Sequence, residues 1–133
     1  MSSWPVHIPV DVRERDCGVG GRLDESVLLV YFREARRAYV SVLNAEELRL
    51  RLTGMGMSVH RDIHLDDELV VSVRCDQVDE RGLTMAYQVR DKLRAELVAE
   101  GHTELIFTDE WGDDRPVPVS LRVRIDVLEG RHG

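Results

Sequence analysis

A glycine-rich turn that runs directly into a long apolar helix constrains this chain more than any other feature. Gly18, Gly20 and Gly21 form the turn, and residues 24–40 after it are rich in Leu, Val, Tyr, Phe and Ala. Glycine tolerates positive φ angles and close backbone approach, which suits a sharp entry into a helix. Because the first two helical turns are apolar nearly all round, we expect the helix to be buried on several sides. A curved antiparallel sheet is its natural cover, since the sequence after Leu50 is dominated by strand patterns.

Apolar and polar residues alternate with period two in the segments that we interpret as strands. These are residues 6–16 before the helix and residues 50–64, 68–77, 83–90 and 95–109 after it. Gly101 is expected to mark a bulge. Residues 117–128 fit either a strand or, through Leu121, Ile125 and Leu128, a helix, and their β-branched residues favour the strand. The predicted fold class is α+β, a long central helix wrapped by a curved antiparallel sheet of five or six strands.

The composition limits the classes of protein and of partner. With 133 residues and no linker, residues 1–133 are expected to form a single domain with its own core. The formal charge of −7 argues against nucleic acid as a partner. No segment has the order of a leader peptide or the length of a membrane span, so we expect a cytoplasmic protein without a membrane partner. Cys17 and Cys75 are expected to be free thiols.

Three motifs follow one another along residues 6 to 120. They are Arg13-Glu14-Arg15-Asp16 with Gly20-Gly21 and Tyr31-Phe32-Arg33-Glu34-Ala35-Arg36; His64-Leu65-Asp66-Asp67-Glu68-Leu69; and Ala99-Glu100-Gly101-His102-Thr103 with Phe107-Thr108-Asp109 and Arg115-Pro116-Val117-Pro118. In this order they resemble the motifs of the hotdog-fold acyl-CoA thioesterases of the 4-hydroxybenzoyl-CoA thioesterase type. The resemblance implies the hotdog fold, thioester hydrolysis and substrate contacts at a subunit interface.

The sequence departs from this family at the catalytic positions. Counting back from Arg36, the family's usual catalytic aspartate falls on Gly18, and its histidine or asparagine near the helix start falls on Asp24 or Glu25. Asp16 lies two residues before the expected aspartate. Three interpretations follow: Asp16 takes that role from a displaced turn, a carboxylate at the helix start replaces it, or the usual chemistry is lost.

Thioester hydrolysis needs a polarised carbonyl and an activated oxygen nucleophile. The free amides of a helix N-terminus can face the developing oxyanion, and here they would belong to Gly21, Arg22 and Leu23. Asp16, Asp24 and Glu25 are the candidate general bases or nucleophiles. Asp24 as a helix cap and Glu25 as a first-turn acid are equally good structural explanations.

Residues for the acyl group and the coenzyme A phosphates are predicted on the strands. Met57 and Val59 could line an acyl pocket, although packing in the core explains them more simply. Arg61 and Arg90 could contact phosphates, although arginines are also common on the polar faces of strands. We expect no cofactor and no metal. His60 and His64 on one strand would be about 13 Å apart, too far to share an ion.

The leading functional hypothesis is an acyl-CoA or acyl-carrier-protein thioesterase that acts at a helix N-terminus with a carboxylate. It would assemble as a homodimer or homotetramer, since pairing two open sheet edges removes an aggregation hazard. The alternative is a non-catalytic hotdog protein that binds an acyl or aromatic ligand, motivated by Gly18. A dehydratase is a weaker third hypothesis, because no acid is paired with a histidine at the expected spacing.

Overall fold

The computed structural model describes residues 4–46 and 48–131. Two α-helices and five strands follow one another in the order of a single strand, a helix, four strands and a second helix. They are β1 (Val6–Asp11), α1 (Val27–Val42), β2 (Leu50–Val59), β3 (Glu68–Val78), β4 (Gly82–Asp91), β5 (Leu97–Phe107) and α2 (Val119–Leu128), with a 3-10 turn at Glu14–Asp16. The predicted α+β class and the five-strand count are confirmed.

The five strands form one antiparallel sheet in the order β1-β3-β4-β5-β2. Hairpins join β3 to β4 and β4 to β5. In the first, Asp79 Oδ1 accepts hydrogen bonds from the amides of Arg81 and Gly82. β1 and β2 are therefore the two edges of the sheet.

One face of α1 packs on this sheet, and the spacing of its buried residues follows the helical period. These residues are Leu28, Tyr31, Phe32, Ala35 and Tyr39. The opposite face is open, because the sheet covers only one side of the helix; Val30, for example, is 42% exposed. The expectation that the helix is buried on several sides is wrong for the single chain.

Gly101 on β5 lies directly beneath the Phe32 ring of α1. The Phe32 ring stacks on Tyr87, with ring centroids 4.5 Å apart, and lies over Gly101. A Cβ atom at Gly101 would stand 2.7 Å from Phe32 Cε2. Gly101 pairs in register with Met57 and Tyr87, so the predicted bulge is wrong there. The β4–β5 register shifts instead between Val89 and Arg90.

The segment before α1 is less regular than the sequence suggested. β1 ends at Asp11 instead of continuing to residue 16, and the 3-10 turn follows. Gly20 and Gly21 have φ angles of 86° and 73°, which glycine adopts without strain. Residues 24–26 form a turn, so α1 begins at Val27 and not at residue 24.

The C-terminal segment is the helix α2, so the preference for a strand is wrong. Leu121 and Ile125, four residues apart, are the buried residues of α2, whereas Val119, Val123 and Val127 are exposed. Burial of one helical face therefore outweighs the strand propensity of the valines. Pro118 precedes the helix and supplies its N-cap position.

Candidate active site at the start of the central helix

A small recess, here called the tip recess, borders the N-terminus of α1. It is lined by Arg22, Leu23, Glu25, Leu28, Val59, Asp62 and Ile63 and has a volume of about 10 Å³. That volume accommodates roughly one water molecule. Four predicted site residues come together here: Arg22, Leu23, Glu25 and Val59. The glycine turn brings them to the end of β2, because the Leu23 amide donates to Ile63 O at 2.7 Å.

Glu25 is the predicted carboxylate that lines the tip recess. Its side chain is exposed and makes no hydrogen bond or ion pair with any residue that the structure describes. Neither of its oxygen atoms is therefore committed to a structural role. A carboxylate in that state beside a water-sized space can accept a proton from a nucleophile.

Asp24 has a structural role, but it is not the predicted helix cap, because the N-cap position of α1 is Ser26. Its Oδ1 accepts hydrogen bonds from the Ser26 amide at 3.1 Å and from Ser26 Oγ at 2.9 Å. Its backbone carbonyl accepts from the Val27 amide. Asp24 thus closes the turn that leads into α1, and it does not line the tip recess.

Asp16 lies against the buried side of α1. Its carboxylate is 14% exposed, and its Oδ2 accepts hydrogen bonds from Tyr31 Oη at 2.9 Å and from the Arg13 amide at 3.1 Å. Burial, followed by this hydrogen bond, raises the pKa of Tyr31 above its ordinary value, so the phenol stays protonated and keeps donating. The Tyr31 contact was not foreseen. The two residues are distant in sequence and carry no common pattern.

Two of the three backbone amides that were predicted to face the oxyanion already donate hydrogen bonds within the fold. The Gly21 amide donates to Gly18 O at 3.2 Å, and the Leu23 amide donates to Ile63 O. Among the described residues, no acceptor faces the amides of Arg22 and Glu25. Both residues precede α1, and the first amides of α1 itself already donate to the carbonyl groups of residues 24–26.

Cys17 is poorly suited to act as a nucleophile. Burial, with smaller contributions from the carboxylates of Asp16, Asp66 and Asp67, raises the pKa of its thiol. Since the thiolate is the reactive form, these surroundings suppress its reactivity at neutral pH.

Met57 and Val59 lie on the face of β2 that is turned toward α1. Their partners on β5, Gly101 and Ala99, face the helix, and cross-strand partners share a face of the sheet. The same face of β2 carries Leu52 and Met55, and we call the four side chains the apolar strip. α1 does not cover the strip, since Met55 is 39% and Val59 42% exposed. The strip ends at the tip recess.

Arg61 already has acceptors for its guanidinium group. It pairs with Asp91 at 2.9 Å, Glu96 at 3.0 Å and Asp67 at 3.4 Å. It also donates to Asp62 O at 2.7 Å. These contacts join the β2–β3 connection to the β4–β5 connection. Arg61 does not line the tip recess.

Arg90 is also bound within the fold. Its guanidinium group donates to Ala95 O at 3.0 Å and to Gln88 Oε1 at 3.3 Å. Since Val89 is buried beneath α1, Arg90 points to the other face of the sheet. The predicted phosphate contacts of Arg61 and Arg90 stay predictions, and the structure does not bring either residue to the tip recess.

The histidines of the described residues do not belong to a metal-binding cluster. His60 Nε2 lies 2.8 Å from Glu100 Oε2, and His64 is exposed. Among residues 4–46 and 48–131, no cluster of three or more His, Cys, Asp or Glu could hold a metal ion.

A second cavity, which sequence reasoning missed, lies between the C-terminal half of α1 and the start of β2. We call it the arginine groove. It has a volume of 860 Å³, and its lining includes Arg33, Arg36, Arg37, Arg49 and Trp111. The signal that could have located it is the recurrence of arginines at positions 33, 36 and 37, which lie on neighbouring turns of one helix.

Solved structures share this fold. A thioesterase from Thermus thermophilus, solved in complex with coenzyme A and zinc, is 31% identical, with a TM-score of 0.86 over 99% of this chain and 100% of that chain. A thioesterase-superfamily protein from Jannaschia sp. CCS1 is 17% identical, with a TM-score of 0.84 over 93% and 82% of the chains. A 1,4-dihydroxy-2-naphthoyl-CoA thioesterase from Synechocystis is 18% identical, with a TM-score of 0.79 over 90% and 94%.

These similarities define a hotdog-fold protein, which confirms the fold that the motifs implied. The identity to the Thermus thermophilus thioesterase over the whole of both chains goes further. The chain belongs to the thioesterase superfamily of hotdog proteins. No protein-family profile and no curated protein matches the sequence. None of the helices among the described residues is long and apolar enough to cross a membrane.

Proposed function

We propose that this chain hydrolyses acyl-CoA thioesters at the tip recess, with Glu25 as the general base. One observation carries the proposal. The carboxylate of Glu25 is uncommitted and lies beside a water-sized recess at the N-terminus of α1, in a chain of the thioesterase superfamily. The amides of Arg22 and Glu25, which have no acceptor among the described residues, support it as oxyanion donors.

In this mechanism a water molecule in the tip recess attacks the thioester carbonyl carbon while Glu25 accepts one of its protons. The carbonyl oxygen gains negative charge and is stabilised by the two amides and by the positive end of the α1 dipole. The tetrahedral intermediate then breaks its C–S bond. The sulfur leaves with the bonding electrons and takes the proton from Glu25, which yields a carboxylic acid and free coenzyme A.

Asp16 and Asp24 are assigned supporting roles in this proposal. Asp24 shapes the turn before α1 through Ser26, and Asp16 holds Tyr31 and the preceding loop. The competing assignment makes Asp16 the base, because Asp16 lies two residues before the position of the family's usual catalytic aspartate.

The test compares the release of free thiol from acyl-CoAs by three variants, Glu25→Gln, Asp24→Asn and Asp16→Asn. We expect Glu25→Gln to lower kcat by about 10²–10⁴, the usual contribution of a general base, with an unchanged melting temperature. Glu80→Gln, in the β3–β4 turn at the other end of the sheet, is the control. If Glu25→Gln keeps its activity and Asp16→Asn loses it without losing stability, the base is Asp16 and our assignment is wrong.

A non-catalytic acyl-binding protein is the second candidate function. Gly18, at the position of the family's usual catalytic aspartate, favours it. That alternative is accepted if wild-type protein binds acyl-CoA but releases no thiol from short, long or aromatic acyl groups.

We further propose that the active form is a homo-oligomer joined through β2. β1 is a six-residue edge interrupted by Pro9, which cannot donate to a neighbouring strand, whereas β2 has ten residues and no proline. Antiparallel pairing of two β2 strands about a twofold axis would extend the sheet and cover the apolar strip. In that arrangement the start of β2 in one protomer lies beside the end of β2 in its partner.

A further inference from the structure

The tip recess contains a second carboxylate besides that of Glu25. Asp62, in the connection between β2 and β3, also lines the recess. Its Oδ2 accepts a hydrogen bond from Arg22 Nη1 at 3.4 Å, but the two side chains are 61% and 62% exposed, so this ion pair contributes little to stability. Its Oδ1 accepts no hydrogen bond from any residue that the structure describes. The Asp62 carboxylate is therefore available to a molecule in the recess.

A water molecule in the tip recess has few side chains to which it can donate. Four of the seven lining residues have apolar side chains: Leu23, Leu28, Val59 and Ile63. Of the other three, Arg22 carries only donors, whereas Glu25 and Asp62 carry acceptors. An enclosed water molecule usually makes about two to four hydrogen bonds. The two carboxylates are therefore the side chains that can accept the two hydrogens of this water.

The β2–β3 connection, which carries Asp62, is joined to the segment that precedes α1. The Leu23 amide donates to Ile63 O at 2.7 Å, and Arg22 forms an antiparallel bridge with His64. Backbone hydrogen bonds of this kind hold two chain segments at a fixed spacing. The two sides of the tip recess, each with one carboxylate, are consequently parts of one bonded unit.

Arg61 holds the backbone of Asp62. Its Nη1 donates to Asp62 O at 2.7 Å, and its guanidinium group pairs with Asp91 at 2.9 Å and with Glu96 at 3.0 Å in the connection between β4 and β5. The side chains of Arg61 and Asp91 are only 28% and 15% exposed, so solvent screens this ion pair less than a surface pair. Arg61 therefore fixes Asp62 relative to a second connection of the sheet.

We propose that Asp62 is a second catalytic residue of the tip recess and that Arg61 positions it. The inference rests on the proposed thioesterase function. The Asp62 carboxylate accepts a hydrogen bond from the nucleophilic water, while Glu25 accepts the proton that this water loses on attack. Because both hydrogens are held by carboxylates, the lone pairs of the water are free to reach the thioester carbonyl carbon.

Asp62 takes part in this step without a change of charge. The water oxygen forms the new bond to the carbonyl carbon, and one of its protons moves to Glu25. That proton later passes to the sulfur when the C–S bond breaks. The other hydrogen, which Asp62 held, stays on the oxygen that has joined the acyl group. Asp62 is thus an orienting acceptor, and Glu25 remains the general base.

The first experiment measures kcat and KM for the release of free thiol by wild type, Asp62→Ala and Asp62→Asn. The substrate is whichever of acetyl-CoA, palmitoyl-CoA and benzoyl-CoA the wild type hydrolyses fastest. Asp62→Ala should lower kcat about 10- to 100-fold at unchanged KM, the usual effect of losing one hydrogen bond to a charged group. Asp62→Asn keeps an oxygen acceptor without the charge, so its kcat should lie between those of wild type and Asp62→Ala.

Asp76→Ala is the matched control for Asp62→Ala. Asp76 also pairs with one arginine, Arg74, at 2.6 Å, and its side chain is 42% exposed on β3, outside the tip recess. This variant should keep both kinetic constants. Measurements well below the melting temperature of each variant keep loss of stability out of the comparison, and Asp62→Asn, which has the shape of the native side chain, decides alone if Asp62→Ala does not fold.

Three results would overturn the catalytic role of Asp62. They are an unchanged kcat in Asp62→Ala, a raised KM with unchanged kcat, which would indicate a contact to the substrate instead of the water, and an Asp62→Asn variant no more active than Asp62→Ala. In each case an active wild type leaves the proposed thioesterase function standing. If wild type hydrolyses none of the three acyl-CoAs, the proposed function fails and this inference fails with it.

A double-mutant cycle tests whether Arg61 acts through Asp62. Arg61→Gln alone should lower kcat, because the backbone of Asp62 is no longer held. Once the Asp62 side chain is removed its position no longer matters, so Arg61→Gln/Asp62→Ala should have the kcat of Asp62→Ala. Arg74→Gln, which breaks the ion pair on β3, is the control and should keep the kcat of wild type. Additive losses, or an unchanged kcat in Arg61→Gln, would overturn the positioning role.

Discussion

At the scale of single residues, Glu129 joins three elements. Its Oε2 accepts a hydrogen bond from Tyr39 Oη on α1 at 2.5 Å and one from the Cys75 amide on β3 at 2.8 Å. Glu129 follows directly after α2, and Arg131 donates to Cys75 O at 2.9 Å. The end of α2 is therefore fixed to the helix and to the sheet by hydrogen bonds to partly buried groups.

We predict that Glu129→Ala lowers the free energy of unfolding by about 2–3 kcal/mol, because it leaves a buried phenol and a buried amide without their charged acceptor. Chemical denaturation measures the change. Asp126→Asn is the control, since its ion pair with Arg131 is about 40% exposed on both sides and contributes little. Equal effects of the two substitutions would contradict the structural role of Glu129.

The buried thiol of Cys75 is expected to make the free energy of unfolding depend on pH in the alkaline range. Burial raises the pKa of its thiol from 9.0 to about 12, and Arg131 opposes this shift. Between these two values the unfolded chain releases the thiol proton and the folded chain keeps it, so the stability falls as pH rises. One proton corresponds to a slope of about 1.4 kcal/mol per pH unit.

The Cys75→Ala variant should lose this part of the slope, although it is less stable overall. Unfolding free energies of both proteins, measured at several pH values above 9.0, provide the comparison. Parallel curves for the two proteins would show that the thiol titrates alike in the folded and unfolded states.

At the scale of secondary-structure elements, the contact between α1 and β5 depends on Gly101. A Cβ atom there would lie 2.7 Å from Phe32 Cε2 and 2.8 Å from Gly56 O, and neither the packed ring nor the backbone of β2 moves easily. We predict that Gly101→Ala lowers the free energy of unfolding by about 1–3 kcal/mol, the usual result of overpacking.

Gly18→Ala is the matched control for Gly101→Ala, because nothing lies within 4 Å of a Cβ atom at Gly18 and its φ angle is not positive. Thermal unfolding of the two variants gives the comparison. If Gly18→Ala is the more destabilised of the two, the close approach of Phe32 does not explain the glycine in β5.

The elements could be predicted where one pattern dominates and not where two compete. β3 and β4 alternate cleanly, and both predicted strands are present. In α2 the valines favoured a strand, but the segment is a helix that buries Leu121 and Ile125. That burial depends on tertiary contacts, which the local sequence does not show.

The same limit applies to the candidate site. The tip recess brings Arg22, Leu23 and Glu25 together with Val59, and the family resemblance anticipated a site at the start of the helix. The hydrogen bonds of Arg61 could not be foreseen, because its acceptors Asp91 and Glu96 are 30 or more residues away in the sequence. Both lie at the connection between β4 and β5. Local sequence shows which side chains carry charge, but distant partners decide which charges remain free.

At the scale of the whole molecule, two exposed apolar surfaces of the described residues are candidates for the proposed interface between copies of the chain. One is the apolar strip on β2, and the other is the face of α2 that carries Val119, Val123 and Val127. Only the strip lies on an open sheet edge, where pairing also satisfies backbone hydrogen bonds. The strip also reaches the tip recess, which Val59 lines.

We predict that wild type has the mass of a dimer or tetramer by light scattering and that Met55→Lys lowers it, because an ammonium group would have to be buried in the interface. Val123→Lys introduces the same charge on the competing α2 face, at a side chain that is 55% exposed, and should leave the mass unchanged. Since the proposed active form is the oligomer, Met55→Lys should also lose acyl-CoA hydrolysis while its far-UV spectrum stays native. A monomeric wild type, or dissociation by Val123→Lys alone, would contradict the proposed oligomer joined through β2.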